Sequence, residues 1–217
     1  MMDRQVRWAA PMAGSLLLGL GACSTPSSAG PASAPSSSGV ATSAAPTRSP
    51  SPSPPAPHAT EFNPPGDIPD NQVFLDYRVP GSTVHVKVPE GWARSSANGT
   101  TTFTDHYNSI AVAVLPVATA PTTASATRRD VPALRRSVSH FAAARVRDIR
   151  RAHGHAVLVT YLLDSAPSEV TGKVVRDAAE RYEFWSAGHE AVLTLTGPKG
   201  ADNVDPWRLV SDSLRWR

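Results

Sequence analysis

KVVRDAAERYEFWSAGHEAVLTLT, residues 173–196, decides how this chain folds. Two stretches rich in aromatic and β-branched residues flank Ala187-Gly188-His189, which reads as a β-hairpin closed by a tight turn. The stretch before it, ARVRDIRRAHGHAVLVTYLLD at 144–164, repeats the plan. Ala144 to Ala152 and His155 to Asp164 meet at His153-Gly154. Connections this short join antiparallel strands only, so two such hairpins build an antiparallel sheet.

Upstream, Val84, Val86 and Val88 alternate with His85 and Lys87, a half-buried strand that stops at Pro89-Glu90-Gly91-Trp92. Asn98-Gly99 marks a turn before a strand over Thr100 to Thr104. Ile110 to Leu115 reads as a buried strand, apolar on both faces. Val131, Leu134, Val138 and Phe141 recur at helical spacing and predict a helix over 129–140, with Pro132 tolerated in its first turn. Asp205-Pro206 predicts a short second helix to Ser213, with Asp205 as its N-cap. The expected class is α+β: one antiparallel sheet covered by helices, in a single domain over 66–217. Trp92, Trp185 and Trp207 are expected in its core, because a domain of this size needs large apolar residues inside.

The remainder of the chain has a different texture. Of 21 prolines, 11 fall between Ser24 and Pro65, where Arg48 and Glu61 are the only charged residues. Such a segment cannot offset its ordering entropy by burial, and 23–65 is expected to be a disordered tether that begins at Cys23. Its Ser-Pro run favours polyproline II, a semi-stiff spacer. Residues 1–22 carry Arg4 and Arg7, then an uncharged run from Trp8 to Leu20 that is shorter than the about 20 residues a membrane-spanning helix needs. That is the layout of a signal peptide. It ends in Leu20-Gly21-Ala22-Cys23, similar to a bacterial lipobox, in which the Cys thiol accepts a diacylglyceryl group. Cys23 is the single cysteine, so an intramolecular disulfide and a cysteine metal cage are excluded. Two acyl chains make a stable anchor where one makes a marginal one. The expected location is the outer face of the bacterial plasma membrane, held through Cys23.

The order of elements resembles the PsbP-like superfamily, which includes photosystem II PsbP, a Ran-binding eukaryotic branch and actinobacterial LpqN-type lipoproteins. Pro89-Glu90-Gly91-Trp92, Gly188 with Val192-Leu193-Thr194-Leu195, and Asp205-Pro206-Trp207 with Ser213-Leu214-Arg215 carry the match. The resemblance implies a non-enzymatic binding fold and brings no catalytic residues.

Sequence motifs for chemistry are missing: there is no nucleophile elbow, zinc-binding His-Glu-x-x-His, phosphate loop or dinucleotide fingerprint. No catalytic residue, cofactor or metal is expected. His153 and His155 would form a metal pair only on a continuous strand, and Gly154 reads as a turn; a third ligand would have to come from His189, Asp105 or His106. Eight arginines crowd into residues 128–151. A solvated face is the usual meaning of such a run. As a binding patch it offers Arg135 and Arg136 on the helix and Arg145 and Arg147 on one strand face. The loop from Thr196 through Lys199 to Trp207 adds a further candidate contact, with Trp207 as the anchor. A net charge of +3 is too slight to suggest nucleic acid. The function expected is a lipid-anchored, non-catalytic binding module for a cell-envelope protein or polymer. The alternative is an accessory solute- or lipid-binding lipoprotein of a transport system, which needs an apolar pocket of a few hundred Å³.

Overall fold

The computed structural model describes residues 64–168 and 170–217; the expected signal peptide, Cys23 and almost all of the tether lie outside the described residues. Among the described residues, ten strands form two antiparallel sheets. The larger sheet runs in the order β3-β4-β5-β9-β8-β7-β6. Its strands are β3 (Ala93–Ala97), β4 (Thr100–Asp105), β5 (Asn108–Pro116), β6 (Ala142–Arg151), β7 (Gly154–Asp164), β8 (Arg176–Ser186) and β9 (His189–Pro198). The smaller sheet runs in the order β1-β2-β10, from β1 (Phe74–Arg78), β2 (Val84–Pro89) and β10 (Arg215–Trp216). Both anticipated hairpins are present, with Ser186 opposite His189 and Arg151 opposite Gly154.

The small sheet and α3 (Val204–Ser213) cover one face of the large sheet. Val84, Val86 and Val88 of β2 point inward as their alternation requires, and meet Ile110, Val112, Leu158, Tyr182, Leu193 and Leu195. α3 adds Val210, and Leu214 follows it. A helical segment covers the opposite face over β6, β7 and β8. It comprises α1 (Thr123–Ser125), a π-helical turn (Ala126–Asp130) and α2 (Val131–Ser137). Val131, Leu134, Val138 and Phe141 pack there against Val157, Val159 and Tyr161.

Several details differ from expectation. There are two sheets where one was read. β1 and β3 were not anticipated, because FLDYR lacks clean alternation and ARSSA has no large apolar residue. The helical segment begins six residues before Arg129, where Thr122 and Ser125 form a reciprocal capping box, and ends at Ser137 because Val138 is extended. β5 is buried on one face only: Ile110 and Val112 are inside, while Leu115 on the other side is 45% exposed. Trp92 and Trp207 lie at the margin of the core rather than within it. Trp185 is half-buried and donates its Nε1–H to the Val117 carbonyl at 2.8 Å.

The second helix is capped by Asn203 rather than Asp205, and its side chain makes no cap bond. It is engaged elsewhere. Asn203 Oδ1 accepts from Ile68 N–H at 2.8 Å, and Nδ2 donates to the Gly66 carbonyl at 2.9 Å and to Asn108 Oδ1 at 3.0 Å. Asn108 Nδ2 also donates to the Gly66 carbonyl, at 2.9 Å. The two amides fill the space left by Gly197, where a Cβ would stand 2.3 Å from Asn108 Oδ1. Truncating a buried amide leaves its partners unsatisfied, at a cost of about 1–3 kcal/mol. Asn203→Ala should therefore lower unfolding stability by about 2 kcal/mol, and Gly197→Ala by at least as much, in urea denaturation followed by circular dichroism.

Candidate functional site

β6 sets the chemistry of one groove. Opposite Thr160, Leu158 and Ala156 of β7 stand Arg145, Arg147 and Ile149, all directed to the face that α3 covers. The opposing wall is the loop after β9 and the first turns of α3. Between them runs a groove of about 340 Å³ lined by Arg147, Ile149, Glu180, Gly200, Val204 and Trp207, among others. The Trp207 ring packs over the same bare backbone at Gly197, its Cζ2 3.4 Å from where a Cβ would stand.

Arg151 lines the groove too, but its charge is already engaged. It donates to Ser211 Oγ and Tyr182 Oη, both at 2.8 Å, and its guanidinium lies 5.0 Å from the Tyr182 ring centre. Tyr182 in turn donates a short hydrogen bond to Glu180 Oε2. Burial, then the neighbouring Glu180 carboxylate, pushes the Tyr182 hydroxyl up to about 12, so it remains a donor at any physiological pH. Among the described residues neither Arg145 nor Arg147 forms an ion pair, and both are exposed. The groove therefore offers the Arg147 cation beside a tryptophan, with Arg145 next to it on the same strand face, a fit for an anionic group attached to a flat apolar body.

The large sheet divides the sequence-predicted basic patch. Arg145 and Arg147 share the groove face; Lys199 is exposed in the loop between two lining residues, Pro198 and Gly200. Arg135 and Arg136 sit on α2 across the sheet, where Arg135 lies 5.8 Å from the Phe141 ring centre. His153 and His155 are exposed at the β6–β7 turn, with His155 Nε2 3.2 Å from Arg150 Nη1. Asp105 and His106 pair at the β4–β5 turn, at the opposite end of the sheet. Sequence reasoning did not find the Glu180–Tyr182–Arg151–Ser211 chain. The two-residue spacing of Glu180 and Tyr182 was available, but Arg151 and Ser211 come from distant segments.

A second polar cluster lies on the other face of the sheet. The Glu183 side chain is fully buried; Oε1 accepts from Arg181 Nε at 2.9 Å, and Oε2 has no partner among the described residues. Glu190 lies diagonal to it on β9; Asp130, at the end of the π-helical turn, adds negative charge felt at both, and Glu183 acts on Glu190, against Arg181 and Arg129. Burial pushes all three carboxyls up, and Glu190, with Glu183 beside it, reaches about 7.

No family model matches the chain, and no curated protein matches it. Solved structures do. A crystal structure from Bacteroides thetaiotaomicron has a TM-score of 0.45 and 12% identity, over 65% of this chain and 48% of that one. The Ran-binding protein Mog1p of Saccharomyces cerevisiae has a TM-score of 0.45 and 8% identity, over 67% of this chain and 96% of its own. Cyanobacterial PsbP (CyanoP) of Synechocystis has a TM-score of 0.44 and 15% identity, over 70% of this chain and 98% of its own. This chain spans about half the length of the Bacteroides chain. These are likenesses of fold at low identity, and they carry nothing about function.

The carboxyl cluster has a measurable consequence. Asp130, Glu183 and Glu190 hold their protons more tightly folded than unfolded. Their stabilising contribution is thus full below the ordinary carboxylate range and is lost as pH rises through their raised values, about 7 for Glu190. Asp177, raised to about 6 by burial and by Asp164, acts in the same direction. The thermal midpoint should fall between pH ~5 and pH ~8, and Glu190→Gln should make the fall shallower. An unchanged slope in that variant would assign the pH dependence to other groups.

Proposed function

We propose that this chain is an exported lipoprotein of LpqN type, anchored through Cys23, whose folded body is a non-catalytic binding module for an anionic protein or polymer of the cell envelope. The observation that carries the binding part is the pair of exposed, unpaired arginines, Arg145 and Arg147, beside the Trp207 groove. Cations held on a rigid strand keep their geometry for a partner, and an aromatic anchor next to them adds apolar contact. The anchor part rests on Leu20-Gly21-Ala22-Cys23 and the uncharged run before it. The solute-binding alternative draws its support from a separate cleft of about 660 Å³ at the β8–β9 turn.

Two measurements test this reading. Cys23→Ser should leave the protein unprocessed or released into the medium; a processed form that still fractionates with membranes would sink the anchor. Replacing both Arg145 and Arg147 by Glu should weaken co-sedimentation of the full chain with isolated envelope fragments by at least about tenfold, since charge-assisted contacts contribute about 1.5–3 kcal/mol each. The matched reversal of Arg135 and Arg136, across the sheet, should change it little. Equal loss in both pairs would mean a diffuse charge effect instead of a site.

A further inference from the structure

The cleft at the β8–β9 turn has its own chemistry. Turns from several strand pairs converge there with the last strand, enclosing about 660 Å³, a volume within the range of small-molecule sites. Arg78 and Ser82 come from the β1–β2 connection, Gly99 from β3–β4, Ser186 and His189 from β8–β9, and Trp216 from β10. It lies at the opposite end of β9 from Pro198, which lines the Arg147 groove.

Three features narrow what this cleft would hold. The first is charge: Arg78 lines it beside the His189 ring, and among the described residues no carboxylate does. Arg78 Nε donates to the Ser82 carbonyl at 3.2 Å, which orients the guanidinium while most of its N–H donors stay open. The second is a flat apolar wall. Trp216 packs on the core and pairs with Val84, while the following Arg217 N–H donates to the Thr83 carbonyl at 2.9 Å, so strand pairing fixes the indole. The third is rigidity. Ser82 Oγ donates to the Val79 carbonyl at 2.9 Å and accepts from Val84 N–H at 3.1 Å, which braces the turn on one side. Hydroxyls of Ser82, Thr83 and Ser186 share the remaining lining with apolar groups of Val79, Pro80, Val114, Pro116 and Ala187. An acyl chain would call for an enclosed, wholly apolar tube, whereas this cleft sets a guanidinium, an imidazole and hydroxyls among its apolar side chains and the indole. A ring with several hydroxyls, an apolar face and one negative charge meets all three conditions.

We propose that this cleft is a binding site for an acidic sugar, with the sugar ring against Trp216 and its anionic group at Arg78. It is separate from the Arg145–Arg147 groove and does not depend on it. The negative charge can be a carboxylate or a phosphate, and the test separates the two. The full chain would be titrated with digalacturonate, glucose 6-phosphate and maltose, with the Trp216 indole and the Gly81 and Gly99 amides followed by NMR. Saturable shifts are expected at these groups, with at least one acidic sugar binding about tenfold or more tighter than maltose. Whichever of the two binds more tightly identifies the kind of anion. Arg78→Gln should remove that tenfold preference while the dispersion of the spectrum, and so the fold, is retained; His189→Gln should reduce it. Replacing Arg145 and Arg147 by Glu should leave it intact. Maltose binding as tightly as both acidic sugars, or no saturable shift at Trp216 with any of the three, would overturn the proposal.

Discussion

A buried pair of amides, Asn108 and Asn203, holds the two layers of this protein in register. A side-chain amide brings both donors and acceptors into the interior, and each must find a partner there or cost stability. Here the partners come from three places: β5 through Asn108, the first turn of α3 through Asn203, and the incoming chain through Gly66 and Ile68. The pair fits because β9 has glycine at position 197, directly beneath it. Gly66 faces a similar restriction, since a Cβ there would stand 2.5 Å from Pro198 Cγ and its φ is +101°. Two glycines and two asparagines thus fix where α3 starts. That start fixes Trp207, and with it one wall of the groove.

The faces of the large sheet solve different problems with the same backbone. Toward α3 the centre is apolar, from Val84 to Leu195, and the polar residues at its edge are linked in a chain through Arg151, Tyr182 and Glu180. Toward the helical segment, Glu183 carries a carboxyl group into a buried position where, among the described residues, it has one ion-pair partner and one oxygen unmatched. The π-helical turn ends at Asp130, which brings another carboxyl into the electrostatic reach of Glu183 and Glu190. The apolar contacts of Ala126, Val131 and Leu134 hold that cover in place against the repulsion. Stability on this side depends on pH because apolar packing and like charges share one layer.

How much of this was legible in the sequence follows from the range of the interactions. Alternation at Val84, Val86 and Val88 and the turns at Gly154 and Gly188 are local, and they gave the strands, the hairpins and the class of fold. β3 was not visible, because its pairing with β4 supplies the order that ARSSA itself lacks. The start of α3 was misassigned by two residues. Asp205-Pro206 carries the local signature of an N-terminus, whereas the tertiary demand on Asn203 comes from Ile68 and Asn108, 135 and 95 residues away. The groove was legible as residue types but not as a place, since strand order alone brings Arg147 close to Trp207.

The arginine run shows why density along a chain is a poor guide to a patch. Eight arginines lie between Arg128 and Arg151, yet the fold distributes them among different tasks. Arg151 braces Tyr182 and Ser211, Arg129 offsets the buried carboxyls, and Arg135 lies against Phe141. Arg145 and Arg147 share one face of the edge strand β6 and have no ion-pair partner among the described residues. Charges on an edge also discourage pairing with another sheet, so these two have a protective role whatever they bind. What distinguishes them from a merely protective pair is the wall opposite. Edge protection asks only for charge, whereas here Trp207 stands across the groove from Arg147, on a helix whose start the Asn108–Asn203 pair holds.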